Sequence, residues 1–262
     1  MHVNTALEAA LEAGRAVMDI YDTDFKVVEK SDHSPLTQAD QTAHSIISSH
    51  LGSTGIPILS EEGSDIPYAK RSSWDRLWIV DPLDGTKEFI KKNGEFTINI
   101  ALVHDQIPIL GVILIPAKGT LYLASPEHGA LYCPEVEMTK STSVPDLLER
   151  TQSIPVSGDA SRIFTIVGSR SHPSPELEAY VQDKERELGH VSFVSAGSSL
   201  KFCLVADGQA DVYPRLGPTM EWDTAAGQAI AQAAGRRVRI WDTDSPLIYN
   251  KQDLHNPWFV VE

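Results

Sequence analysis

Apolar residues near the start of the chain recur every three or four positions, a spacing typical of amphipathic helices. Thr5 and Glu8 have the spacing of a capping box and predict where the first helix begins. A second helix is predicted from about Thr37 to Gly52, with Asp40 in its first turn. The predicted inner faces carry Leu7, Leu11, Val17, Met18 and Tyr21 in the first helix, and Ala43, Ile46, Ile47 and Leu51 in the second.

Short apolar runs bounded by turn residues replace this spacing further along the chain and predict strands. These runs cover residues 25–29, 56–60, 77–80, 96–103, 107–115, 120–124 and 130–133. Tight turns join the last four, which predicts an antiparallel meander. Pro82 has no N–H group to donate to a sheet, so we expect the strand at 77–80 to end there.

In the second half of the chain, short apolar runs typical of strands alternate with the spacing typical of helices. Strands are predicted at 163–167, 191–195, 211–213 and 237–240, with helices at 175–187, 199–206 and 224–235. Interleaved strands and helices predict a layered α/β half after an α+β half. A Ser-, Thr- and Pro-rich stretch at 134–159 suggests the division: an N-terminal α+β metal-binding domain at 1–135, a connector at 136–160, and a C-terminal α/β substrate-binding domain at 161–262.

Composition narrows the classes of function. A formal net charge of −14 argues against a nucleic-acid polymer as partner, but it does not exclude a small anionic ligand. The longest apolar run, 107–116, is too short to span a bilayer, and the N-terminus lacks the pattern of a signal peptide. Cys133 and Cys203 are far apart in apolar sequence and predict free thiols in a reducing compartment. We therefore expect a cytoplasmic protein, with peripheral membrane association and oligomeric state left open.

The run Asp-Pro-Leu-Asp-Gly-Thr at 81–86 is the strongest chemical signal. Asp81 and Asp84 follow a buried strand, and the carbonyl of Leu83 lies between them as a third oxygen. Gly85 permits a tight turn, and Thr86 opens a predicted short helix whose N–H groups suit a phosphate. A hard cation and a phosphate could therefore be held side by side. The alternative is an Asx-type turn in which both aspartates cap backbone groups.

Carboxylates and cations elsewhere in the sequence could likewise bind a ligand or serve only a structural role. Glu61 ends a second strand, and Asp223 lies at the entrance of an Ala/Gly-rich helix, where it could act simply as an N-cap. Ser198 and Lys201, around the start of another helix, could hold a phosphate or could be a serine cap and a solvated lysine. Arg215 ends a strand and suits a second anionic group.

Four carboxylates at one site would repel one another unless cations lie between them. Glu61, Asp81, Asp84 and Asp223 offer only oxygen ligands, which favours Mg²⁺ or Mn²⁺ over zinc. Bound ions of this kind can activate a water and neutralise a leaving alkoxide. Asp40, acting through the hydroxyl of Thr86, is our candidate base for that water, although Asp40 could also be only the acidic partner of a helix cap.

Three motifs in this order resemble the inositol monophosphatase superfamily of lithium-sensitive, magnesium-dependent phosphatases. They are Glu-Glu at 61–62, Asp-Pro-Leu-Asp-Gly-Thr at 81–86 and Trp-Asp-Thr-Ala-Ala-Gly at 222–227. Longer runs at 81–97 and 197–206 are similar to its 3′(2′),5′-bisphosphate nucleotidase branch. The resemblance extends from the first helix to about residue 256 and implies a five-layered αβαβα sandwich with the active site between the halves.

The resemblance also implies roles for individual residues. Two or three Mg²⁺ ions are expected on Glu61, Asp81, the Leu83 carbonyl, Asp84 and Asp223. Asp40, Thr86 and Glu61 are the expected catalytic residues. The expected substrate contacts are Leu83, Asp84, Gly85, Thr86, Ser198, Lys201, Arg215 and Asp223. Glu221 departs from the family pattern, where an uncharged residue is expected, and could shift metal or substrate preference.

The expected reaction is hydrolysis of the 3′-phosphate of adenosine 3′,5′-bisphosphate to AMP and phosphate, as a step of sulfur assimilation. The sulfated precursor 3′-phosphoadenylyl sulfate is an expected second substrate. The alternatives within the family are an inositol monophosphatase and a fructose-1,6-bisphosphatase. Lys201 argues against both, because a ribose 5′-phosphate needs an extra cation. The alternative from another class is a non-catalytic protein that binds metal or nucleotide on the same scaffold.

Overall fold

The computed structural model describes residues 2–25, 27–29, 35–63, 65–140, 142–155, 162–169 and 174–262. The helices are α1 (His2–Tyr21), α2 (Gln38–Gly52), α3 (Tyr68–Arg71), α4 (Thr86–Ile90), α5 (Val144–Glu149), α6 (Pro175–Leu188), α7 (Leu200–Ala206) and α8 (Glu221–Ala233). The strands are β1 (Val27–Glu29), β2 (Pro35–Thr37), β3 (Ile58–Ser60), β4 (Arg76–Asp84), β5 (Thr97–His104), β6 (Ile107–Ile115), β7 (Thr120–Ser125), β8 (Gly129–Cys133), β9 (Gln152–Ser153), β10 (Thr165–Ser169), β11 (Ser192–Ala196), β12 (Tyr213–Arg215), β13 (Val238–Ile240) and β14 (Phe259–Val261).

The largest sheet in the described part of the chain contains seven strands in the order β3-β4-β5-β6-β7-β8-β9. Only β3 and β4 pair in parallel within it. Strands β5 to β8 form the predicted antiparallel meander, which β4 and β9 extend on either side. Successive side chains of a strand point to opposite faces. Trp78 and Val80 therefore pack with α1 and α2, whereas Leu77 and Ile79 pack into the core shared with α7 and α8.

A second, smaller set of strands lies beyond α7 and α8. The β10–β11 pair is parallel, and β14 lies between β12 and β13. Backbone hydrogen bonds from Val167 N to Val212 O (2.9 Å) and from Asp211 N to Thr165 O (2.8 Å) join the two groups. Tyr180 of α6 packs on the outer side of these strands. The order of layers is therefore helix, sheet, helix, sheet, helix, which confirms the predicted αβαβα class.

Helix α8 lies directly on the large sheet because glycine removes the intervening side chain. A Cβ atom at Gly111 of β6 would lie 2.4 Å from the carbonyl oxygen of Ala226. A Cβ atom at Gly227 would lie 2.4 Å from the Phe202 ring of α7. Both distances are far below van der Waals contact, so Gly111 allows the close approach of α8 to the large sheet and Gly227 allows the close approach of α7 to α8.

Several predicted boundaries are wrong: the strand predicted at 211–213 lies at 213–215, and the helix predicted at 224–235 lies at 221–233. The first helix begins at His2, so Thr5 and Glu8 lie inside it and do not cap its start. The strand predicted to stop before Pro82 continues to Asp84, and its pairing with β5 shifts register between Asp81 and Asp84. Such a shift tolerates a residue without an N–H group, because the local ladder is already interrupted.

The predicted connector at 136–160 contains regular secondary structure. It contains α5 and β9, and Leu147 of α5 is buried in the same core as α1. Residues 156–160 of the connector lie outside the described residues. The division into two domains stays a prediction. Within the described ranges, no helix has the length and apolar character needed to cross a bilayer.

Candidate active site

The register shift at the end of β4 places two carboxylates beside the turn that follows. Asp81 is buried, and its Oδ1 accepts a hydrogen bond from Leu83 N (3.0 Å). Gly85 adopts a left-handed conformation with φ of 89°, and a Cβ atom there would lie 3.2 Å from the carbonyl oxygen of Glu95. The turn therefore needs glycine on two counts, and it starts α4 at Thr86 as predicted.

Asp223 reaches the same place from the other side. It is the third residue of α8, and its Oδ2 accepts a hydrogen bond from Met220 N (2.8 Å), so it does help to cap the helix. One oxygen each of Asp81, Asp84 and Asp223 nevertheless lie within 4.8 Å of one another. Glu61, in a single 3₁₀ turn after β3, lines the adjoining cleft. Three of the four predicted carboxylates therefore form a compact group, with the fourth nearby.

The protonation of these carboxylates reflects their crowding. Burial raises the pKa of Asp81 well above its usual range, and the charges of Glu61, Asp84 and Asp223 raise it further. Burial is also the main cause of a raised pKa at Asp84. Burial, followed by the charge of Asp84, raises the pKa of Asp223 to about 8. A divalent cation held by this oxygen-only donor set would relieve the repulsion, so the residues fit a hard metal ion.

Asp40 and Thr86 form the predicted pair. Asp40 Oδ2 accepts hydrogen bonds from Thr37 N (2.7 Å) and Thr37 Oγ1 (2.6 Å), while Oδ1 accepts one from Thr86 Oγ1 (3.1 Å). Asp40 is therefore both the acidic partner of the cap of α2 and a contact of Thr86. The hydroxyl of Thr86 is also 3.4 Å from the Leu83 carbonyl oxygen. Burial raises the pKa of Asp40, although the hydrogen bonds from Thr37 oppose this effect.

The segment before α7 forms another wall of the cleft. Gly197 N donates to Glu95 Oε2 (2.9 Å), which ties this turn to the residues before β5. Ser198 has a φ of 41°, and its Oγ is buried with no hydrogen-bond partner among the described residues. A buried hydroxyl without a partner is available to a ligand.

Two cations lie in the same cleft. Lys201 is buried, its Nζ donates to the backbone oxygen of Ser198, and burial lowers its pKa to about 8 although Asp84 opposes this shift. The alternative prediction of a solvated lysine is therefore wrong. Arg215 ends β12, and its Nη2 donates to the backbone oxygen of Pro218 (2.6 Å). Both cations line the same cleft as Asp84 and Asp223.

The cleft has a volume of about 500 Å³, within the range that accommodates a nucleotide-sized ligand. Its lining includes Glu61, Asp84, Thr86 and Asp223 together with Lys201 and Arg215. Apolar and aromatic side chains also contribute, namely Leu177, Phe202, Tyr213, Pro214 and Leu216.

Sequence reasoning missed several residues that support these groups. Ser199 Oγ lies 2.8 Å from Asp84 Oδ2, and Asn99 Nδ2 lies 2.9 Å from Ser199 Oγ. Thr97 and Asn99 are the polar residues at the start of the otherwise apolar strand β5, and that interruption is the signal that could have identified them. Glu221, by contrast, is fully buried, and its carboxylate accepts hydrogen bonds from residues 250 and 251. An influence of Glu221 on metal or substrate preference stays a prediction.

Comparison with known proteins gives a consistent result over the whole chain. The model of the inositol monophosphatase family matches residues 2–257. The 3′(2′),5′-bisphosphate nucleotidase CysQ of Escherichia coli K12 is 45% identical over 260 residues, which cover 97% of this chain and 96% of that protein. CysQ of Haemophilus influenzae is 32% identical over 268 residues, covering 99% and 91% respectively.

Solved structures extend the comparison to the fold. The crystal structure of CysQ from Bacteroides thetaiotaomicron superposes with a TM-score of 0.91 at 50% identity, covering 100% of this chain and 96% of that one. The suhB protein of Bartonella henselae superposes with a TM-score of 0.75 at 23% identity, covering 98% and 92%, a similarity that concerns the fold alone.

Proposed function

The chain belongs to the inositol monophosphatase family, and from this premise we propose that it is a magnesium-dependent 3′(2′),5′-bisphosphate nucleotidase. Its substrate is adenosine 3′,5′-bisphosphate, which loses the 3′-phosphate to give AMP and phosphate; 3′-phosphoadenylyl sulfate is a second substrate. The observation that carries the proposal is one cleft that contains both a compact carboxylate group and two cations, Lys201 and Arg215. The first suits a metal-assisted phosphate transfer, and the second suits a further anionic group on the substrate.

Asp81, Asp84 and Asp223, with Glu61 and the Leu83 carbonyl, are the residues that would hold Mg²⁺. When bound, the ion neutralises phosphate charge, polarises the phosphoryl group and makes a coordinated water more acidic. Mn²⁺ has similar ligand preferences and is expected to substitute. The raised pKa values of the three aspartates agree with this role, because crowded acids gain most from a cation.

Asp40 and Thr86 accept the proton of the attacking water. Because Thr86 donates its hydrogen to Asp40, the lone pairs of Thr86 Oγ1 are left to accept a hydrogen bond from that water. The water's proton can then pass to Thr86 Oγ1 as the Thr86 hydrogen moves to Asp40. Burial raises the pKa of Asp40, which makes its carboxylate a better base than an exposed one. Gly85 and Thr86, at the start of α4, position the scissile phosphate.

The second phosphate of the substrate, on the ribose 5′-carbon, is bound by Lys201 and Arg215, with the hydroxyl of Ser198 as an added donor. Lys201 Nζ is held by the backbone oxygens of Ser198 and Ala196, and the side chain lines the cleft. The apolar part of the cleft receives the nucleoside.

Phosphate release tests this function directly. Purified protein in MgCl₂ is assayed with adenosine 3′,5′-bisphosphate, inositol 1-phosphate and fructose 1,6-bisphosphate as separate substrates. We expect a clear preference in kcat/KM for the nucleotide, and a preference for either sugar ester would contradict the substrate assignment. Absence of release from all three would favour a non-catalytic binding protein.

The proposed role of Asp84 as a metal ligand is tested with a variant that keeps the fold. Asp84→Asn should abolish turnover while the protein still melts cooperatively, because the side chain keeps its shape and loses its charge. Asp24→Asn, at an exposed position after α1, is the matched control and should leave turnover unchanged. Near-normal activity in Asp84→Asn would refute the proposed ligand role.

A further inference from the structure

The hydroxyl of Ser199 lies where four elements of the fold meet. Ser199 precedes α7 and is 2% exposed. Its Oγ is 2.8 Å from Asp84 Oδ2 at the end of β4 and 2.8 Å from the backbone oxygen of Asp223 in α8. The side-chain amide of Asn99 on β5 lies 2.9 Å away. One small side chain therefore contacts both a carboxylate from the large sheet and the backbone of a carboxylate residue from α8.

The direction of these hydrogen bonds follows from the chemistry of the partners. An amide NH₂ group can only donate, so Asn99 donates to Ser199 Oγ. The single hydrogen of Ser199 is then directed toward either Asp84 Oδ2 or the Asp223 carbonyl, and it cannot serve both at once. A hydrogen bond to an ionised carboxylate is the stronger of the two. The hydroxyl of Ser199 therefore accepts a hydrogen bond from Asn99 and donates one to Asp84.

The side-chain hydrogen bonds to Asp84 all end on one of its two carboxylate oxygens. The donors Ser199 Oγ (2.8 Å), Asn99 Nδ2 (3.4 Å) and Thr97 Oγ1 (3.5 Å) all approach the same oxygen, Oδ2. Ser199 makes by far the shortest of these contacts. A carboxylate whose Oδ2 is fixed in this way is held in one rotation about its side chain. Asn99 is in addition the cross-strand neighbour of Asp81.

We infer that Ser199 is a positioning residue of the metal centre: its hydroxyl fixes the orientation of the Asp84 carboxylate and thereby the affinity for Mg²⁺. The inference rests on the proposed function, since it takes Asp84 to be a metal ligand. Hydrogen-bond partners behind metal ligands typically change metal affinity by about 10- to 100-fold when removed.

Ser199→Ala removes the hydroxyl contact of Asp84 Oδ2 and leaves the hydrogen bond from the Ser199 backbone N–H and the longer contacts from Asn99 and Thr97. The expected result is a dissociation constant for Mg²⁺ that is about 10- to 100-fold higher. At saturating MgCl₂, the KM for the nucleotide should stay close to the wild-type value, because Ser199 acts through the ligands and not on the substrate. Ser199→Thr, which retains a hydroxyl, should recover most of the affinity.

The probe is MgCl₂ alone, without nucleotide. Protein stripped with EDTA is melted at increasing MgCl₂ concentrations, and the rise in melting temperature gives the dissociation constant. Ser125→Ala is the matched control: Ser125 is also a buried serine, its Oγ contacts His128 (3.0 Å), and it lies on β7 outside the cleft. The control should lower the melting temperature but leave the dissociation constant unchanged.

An unchanged dissociation constant in Ser199→Ala would overturn the inference while leaving the proposed function intact, because phosphate release by the wild type tests that function separately. Should Ser199→Ala fail to fold, Ser199→Cys provides the second variant. The thiol keeps a group of similar shape but donates weakly, so the dissociation constant should still rise. An unchanged value in Ser199→Cys would then overturn the inference.

Discussion

Replacing Asp223 with asparagine should make the metal-free protein more stable near pH 8. The pKa of Asp223 is raised from 3.8 to about 8, first by burial and then by the charge of Asp84. The folded state therefore binds this proton more tightly than the unfolded state does. The stability that the folded protein gains from protonated Asp223 is fully present below about pH 4 and is lost as the pH rises through about 8.

The magnitude follows from proton linkage. When the folded state holds one proton more tightly than the unfolded state, the free energy of unfolding falls as the pH rises from the unfolded to the folded pKa. The decrease is up to about 1.4 kcal/mol for each pH unit. Asp223→Asn removes this dependence and also removes a charge that raises the pKa of Asp81. The amide oxygen of asparagine can still accept the hydrogen bond from Met220 N, so the start of α8 is retained.

Urea unfolding in EDTA, repeated from about pH 5 to pH 8, measures the effect. The slope of stability against pH should be shallower in Asp223→Asn than in the wild type by up to about 1.4 kcal/mol per unit. Asp24→Asn, exposed and remote from the cleft, should retain the wild-type slope. Excess MgCl₂ should flatten the wild-type slope, because the ion favours the ionised carboxylates. Parallel slopes for wild type and Asp223→Asn in EDTA would refute the account of the carboxylate group.

Three further predictions concern other parts of the structure. Thr86→Ala should lower kcat by roughly 10²- to 10⁴-fold, with Thr86→Ser recovering most of it; a kcat close to wild type would exclude the proposed proton path. Because burial lowers the pKa of Lys201 to about 8, its charge is lost as the pH rises through that value. The KM for the bisphosphate should then increase above pH 8 more than the KM for adenosine 3′-monophosphate, and equal increases would argue against contact with the 5′-phosphate. Gly111→Ala should destabilise the fold by about 1–3 kcal/mol in urea unfolding, whereas Gly52→Ala, with open space around it, should not; equal effects would contradict the close approach of α8.

The pattern of apolar residues predicted the helices and strands well where burial is regular. One buried face imposes a 3.6-residue repeat on α1 and α2, whereas β4 to β7 are buried on both faces and show continuous apolar runs. The start of α1 was mispredicted because the Thr5–Glu8 spacing also occurs inside helices. Strand β14 was not predicted, because it depends on pairing with β12 and β13, which are distant in sequence.

The carboxylates of the site could be predicted from the sequence, but the residues that hold them in position could not. Asp81, Asp84 and Asp223 could be proposed as neighbours because each ends a strand or begins a helix, and oxygen ligands at such positions suggest a common ion. The contact between Asn99 and Ser199 could not be proposed in the same way. It joins side chains 100 positions apart, and although Asn99 stands out as a polar residue in an apolar strand, nothing in the local sequence of Ser199 indicates which partner it meets.

The core that contains Leu77 and Ile79 of the large sheet also contains Phe259 and Val261 of the small one, with α7 and α8 between them. Any hinge between the sheets would have to separate apolar surfaces that are in contact. We therefore expect substrate to enter and leave a cleft of nearly constant width, without the opening and closing seen in enzymes whose lobes are joined by flexible strands. For the same reason, a chain cut between the halves would leave each fragment with an exposed apolar face, and neither should remain folded alone.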